Sequence, residues 1–116
     1  MNLTADALSD RQMAALHARA NHVRPVVDDF DEGTKDAALW LARQLADYPT
    51  VGMRFELRKV LREYAVNQIQ RNASGYEGGH AVVLDDVLAI LDGNQDVTGQ
   101  WTAVAELKAV KEADRA

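Results

Sequence analysis

Apolar residues recur at helical spacing in every capped segment of this chain, and no two segments alternate as a pair of strands would. That pattern confines the chain to an all-α fold. Ser9 caps a first helix, with Gln12 at the third helical position to close a capping box and Leu8 facing Met13 as a hydrophobic staple. Its apolar stripe is Met13, Leu16, Ala20 and Val23, and Pro25 stops it. An acidic connector, 26–33, leads to Thr34, which caps a second helix to about residue 47. Ala38, Leu41, Ala42, Leu45 and Tyr48 face inward there, and Pro49 terminates it. The third helix, 51–72, reads as the longest element and the one on which the others pack.

Residues 72–80 carry Gly75, Gly78 and Gly79 and read as a loop. Leu84, Val87, Leu88 and Leu91 mark a fourth helix, closed by Gly93 as a left-handed cap. The run 81–84 would suit a strand, but no other segment offers it a partner, so it extends that helix. Thr98 caps a fifth helix to about residue 113, with Val104, Leu107 and Val110 inward. The expectation is a compact bundle of about five helices with a long central third helix. One domain spans 1–116, with 1–8 and 112–116 frayed.

Three arginines, Arg54, Arg58 and Arg62, recur every fourth residue and form one column on the third helix. Lys59 has acidic partners at helical spacing, Glu56 and Glu63, whereas no acid lies three or four residues from any of the three arginines. Their neutralising charge must come from outside the helix. The formal net charge is −5, yet residues 54–71 carry five basic and two acidic groups. The sharpest acidic cluster, Asp28, Asp29, Asp31, Glu32 and Asp36, is the nearest strong counter-charge in sequence. We expect it to face the arginine column, within one chain or across a dimer.

Chemistry finds little footing. The chain contains no cysteine, which removes disulfides, thiolate metal sites and thiol nucleophiles and suits a reducing cytoplasm. No apolar run is long enough to cross a bilayer, and Met1 to Leu8 lack the charge and apolar core of a signal peptide. Asp92, Asn94 and Asp96 have the spacing of the first half of an EF-hand calcium loop. Val97 then stands where glycine is needed and Ala103 where a bidentate glutamate is needed, so weak metal binding at 92–96 ranks last among the readings. His17 and His22 are not spaced as a helical metal pair, and His80 sits apart from both. The neighbouring carboxylates Asp28–Asp29 and Asp85–Asp86 diverge by about 100° on a helix and make no dyad by spacing.

Trp40 projects away from the Leu41–Leu45 stripe, among Asp36, Ala37, Arg43 and Gln44. A large aromatic on a polar flank is a candidate anchor for a partner, unless another part of the chain folds over it. Phe55 and Val66 likewise fall off the main stripe of the third helix. These features point to a small non-catalytic interaction module of the cytoplasm, an adaptor, inhibitor or assembly factor of bacterial or phage type. It would dock a partner protein or a second copy through Trp40, Arg54, Phe55, Arg58, Arg62 and Val66, with no cofactor and no membrane contact. The alternative is a nucleic-acid-binding protein using the basic face of helix 51–72. The segment from Leu45 into the arginines superficially resembles a helix-turn-helix, although its turn spacing fits that motif poorly.

Overall fold

The structure is a computed structural model that describes residues 7–70 and 73–93. Among the described residues it is all-helical, with four α-helices. These are α1 (Asp10–Asn21), α2 (Asp29–Asp47), α3 (Arg54–Gln68) and α4 (Gly75–Leu91), and a 3-10 turn, Val51–Met53, leads into α3. The fifth expected helix, 98–113, lies outside the described residues.

Helix α1 begins as its sequence dictates. The Gln12 amide N–H donates to Ser9 Oγ, and the Ser9 amide N–H donates to Gln12 Oε1. Gln12 Nε2 also donates to the Ile90 carbonyl at 3.1 Å, which already accepts from the Gly93 amide, so one side chain closes the start of α1 and ties it to the end of α4. Leu8, expected in a frayed end, is buried in the core against this turn. Val23 lies beyond the end of α1 and is exposed.

Helix α2 starts earlier than Thr34. Asp28 is its N-cap, accepting from the Asp31 amide at 2.8 Å, and the acidic segment forms its first turn rather than a connector. Carboxylates near a helix N-terminus complement the local positive dipole. Asp31, 1% exposed, accepts from the Val27 amide and from Arg24. This buried carboxylate thereby holds the stretch between α1 and α2. A second buried ion pair, Arg19–Asp86 at 2.8 Å, ties α1 to α4.

The presumed loop 72–80 is helical from Gly75 onward. Its glycines serve close packing. A Cβ on Gly79 would lie 2.0 Å from the Phe30 carbonyl oxygen, and one on Gly33 would lie 2.0 Å from the Tyr76 carbonyl oxygen. Backbone therefore rests on backbone where α2 crosses α4, and only glycine fits on either side. This crossing belongs to the most extensive helix–helix packing in the fold. The central pair is α2 with α4, not α3; α2 has 19 residues and α3 has 15. Leu16, Leu41, Leu57, Leu61, Val87 and Ile90 close the core between the four helices. Gly93 follows α4 at φ 90°, the left-handed conformation expected of it.

Candidate interaction surface: an aromatic cleft and the outer face of α3

The α2–α4 crossing sets the start of α4 beside the end of α3 and brings four rings into a row. Trp40 of α2 stacks on Tyr64 of α3, with ring centroids 4.1 Å apart and planes 20° apart. Tyr64 meets His80 at 6.3 Å and a 51° tilt, and His80 meets Tyr76 at 6.2 Å. The Tyr76 hydroxyl donates to Asp36 Oδ2 at 2.7 Å. Beside this row opens a cleft of about 210 Å³, lined by Tyr64, Gln68, Gln70, Tyr76, Glu77 and His80.

Among the described residues the charged groups nearest the cleft, Glu77 and Asp36, are acidic. The hydrogen bond to Asp36 pushes the Tyr76 phenol up to about 12, helped by partial desolvation and by the charges of Asp36 and Glu32. Desolvation lowers the His80 pKa against a smaller opposing effect of Asp36, which favours the neutral imidazole. Among the described residues the lining contributes one carboxylate, Glu77, and no lysine or arginine.

Trp40 is half-buried, with Tyr64 covering one face of its indole. The sequence reading left open whether another helix folds over it, and α3 does so in part. Within the chain, Arg54 and Arg62 of the arginine column do not pair with the acidic cluster. Arg54 pairs with Asp10 at 2.6 Å, and Arg62 pairs with Asp92. Arg58 has no ion-pair partner among the described residues. The acidic cluster is engaged elsewhere: Asp28 caps α2, Asp31 takes Arg24, and Asp36 takes Tyr76. Sequence proximity misled because α2, once extended to Asp29, carries those carboxylates toward α4 and the preceding connector.

Phe55 and Val66 are 45% and 57% exposed. Eleven residues apart in α3, they fall within about 20° of one another around the helix axis, on a face that also carries Arg62. The structure therefore brings Phe55, Arg62 and Val66 together on one outer face, with Arg58 and Lys59 adjacent. Trp40 belongs to the separate aromatic row.

The remaining candidates disperse. Asp92 is held by Arg62, while Asn94 and Asp96 lie outside the described residues. Among the described residues no group of three histidines or carboxylates is placed to hold a metal ion, and no helix is long and apolar enough to cross a membrane. Asp86 of the Asp85–Asp86 pair is committed to Arg19.

A loop over 72–80 hides the aromatic cleft, because it leaves Tyr76, Glu77 and His80 without a helical face. A signal was present. Extending the Val87–Leu84 stripe backward by helical steps reaches His80, Gly79 and Tyr76 on the same side of α4. No protein-family model matches this chain, and neither does any curated protein or solved structure.

Proposed function

We propose that this protein is a non-catalytic interaction module that docks a partner protein through the outer face of α3. The observation that carries the reading is the pair Phe55 and Val66, exposed on one side of α3 and flanked by Arg58, Lys59 and Arg62. Phe55 is a large apolar anchor, and arginine is a recurrent companion of such anchors in interface cores. Arg58, unpaired among the described residues, is available to a partner carboxylate without breaking an internal contact. A partner with an acidic rim around an apolar pocket complements this face.

The same arginines are the footing of the nucleic-acid reading. Two observations count against it: Arg54 and Arg62 are each held by a carboxylate, and the chain carries a net charge of −5. Phosphate would have to displace Asp10 and Asp92 and approach an acidic domain. The test is the folded double variant Phe55→Asp, Val66→Asp. Loss of partner binding or self-association at unchanged melting temperature supports docking through α3. Loss of DNA or RNA binding in Arg58→Glu, with protein contacts intact, supports the alternative.

A further inference from the structure

We infer that the cleft between the end of α3 and the start of α4 takes the cationic head of a lysine or arginine side chain presented by a partner protein. The inference rests on the docking function proposed above and names the chemistry of a second contact, distinct from the α3 face.

Four observations carry it. Tyr64, Tyr76 and His80 form walls, and phenol faces attract a cation through their quadrupole. Glu77 stands on the rim as a carboxylate with no partner among the described residues, and Asp36 lies behind Tyr76 at 2.7 Å from its hydroxyl. Of the described carboxylates, Glu77 lines the cleft and Asp36 stands one hydrogen bond beyond Tyr76, and both attract a cation.

The ring geometry excludes an aromatic ring sandwiched between two of them. Inserting a flat ring needs parallel walls about 7 Å apart, two contacts of about 3.5 Å each. Tyr64 and His80 stand at 6.3 Å with a 51° tilt, and His80 and Tyr76 at 6.2 Å are too close. The outer face of Tyr64 is already covered by Trp40. Angled walls suit a compact charged head instead.

Size gives the fourth observation. The cleft holds about 210 Å³, below the roughly 300 Å³ at which pockets for whole small molecules begin. It can seat the end of a side chain, with Gln68 and Gln70 as acceptors for its N–H groups. A nucleotide would exceed the volume and set its phosphates against Glu77.

The experiment is a titration of the ¹⁵N-labelled full chain with the acetylated, amidated tripeptide Gly-Arg-Gly and with its citrulline counterpart, which has the same shape and no charge. The lysine and norleucine pair forms a second set. The account expects saturable shifts at Tyr64, Gln68, Tyr76 and His80 with the charged peptides, and about fivefold to tenfold weaker binding of the neutral ones. Glu77→Gln should weaken the charged peptides by a similar factor, and Tyr76→Leu should abolish the response. Equal binding of citrulline and arginine peptides, or no shift from either, overturns the inference. Choline binding more tightly than either charged peptide would make the occupant a free quaternary ammonium ion and overturn the partner assignment. The Phe55→Asp, Val66→Asp protein should keep the peptide response even where it has lost docking through α3, so failure of the cleft and failure of the α3 face are read separately.

Discussion

Gly79→Ala inserts a single methyl group where α4 crosses α2, and the structure fixes what it meets. The new Cβ would lie 2.0 Å from the Phe30 carbonyl oxygen, 2.9 Å from its carbon and 3.1 Å from the Thr34 amide nitrogen. All three are backbone atoms of α2, so no side chain can swing aside. Restoring ordinary contact requires the two helices to part by more than about 1 Å, a gap that forfeits a quarter to a half of the dispersion energy across their facing atoms. Overpacking of this kind costs about 3 kcal/mol or more when backbone must shift. Alanine returns about 1 kcal/mol through its better helix propensity. The net expectation is a loss of at least about 2 kcal/mol, which lowers the melting temperature of a domain this size by about 10 °C or more. Gly52→Ala is the control, because a Cβ there meets nothing within 4 Å. Urea and thermal unfolding followed by circular dichroism compare the two. A Gly79→Ala protein as stable as Gly52→Ala would refute the backbone-on-backbone crossing and with it the placement of the cleft.

Other perturbations test separate contacts. Trp40→Ala removes a half-buried indole stacked on Tyr64 and should cost about 2–3 kcal/mol, less than a fully buried aromatic, measured by chemical denaturation. Tyr76 should titrate near 12 by absorbance at 295 nm, and Asp36→Asn should bring it back toward 10. Because its folded pKa is raised, its contribution to stability is complete below pH 10 and is lost as pH climbs from 10 toward 12. The opposite sign holds for His22 and His80. Desolvation lowers both below 6.5, so their contribution is present above that value and is lost as pH falls through the folded pKa values, which ¹H–¹⁵N spectra of the imidazoles would follow. Arg54→Ala should cost no more than about 1 kcal/mol, since Asp10 is highly exposed, and added salt should mask part of that loss in a denaturation series.

Local chemistry was the most legible part of the sequence. The Ser9–Gln12 capping box, the stop after Asp47 and the left-handed Gly93 each depend on a few adjacent residues, and each stands as read. Helical class followed from periodicity. What failed depends on residues distant in sequence. Gly33 and Gly79 look like helix breakers until the facing backbone is known, and taken as breakers they delay the start of α2 and turn the first turns of α4 into a loop. Those two errors made α3 look central and hid the cleft. The arginine column was legible as unsatisfied within its helix; its partners, Asp10 and Asp92, lie 44 and 30 residues from the arginines they meet. Of the candidate anchors, exposure of Phe55 and Val66 was foreseeable from their place off the stripe, whereas the Trp40–Tyr64 stack needed the packing of α2 on α3.

The most direct measurement of the proposed function compares the proteins captured by immobilised wild type and by Phe55→Asp, Val66→Asp from a lysate of the source organism, after equal melting temperatures have been verified. Quantitative mass spectrometry and nucleic-acid staining are run on both eluates. Docking through α3 predicts a protein, or a second copy of the chain, that is retained by wild type, lost from the double variant, and bound again by purified wild type in isolation. Identical eluates from the two proteins, or a retained species that nuclease removes and Arg58→Glu no longer binds, would contradict it.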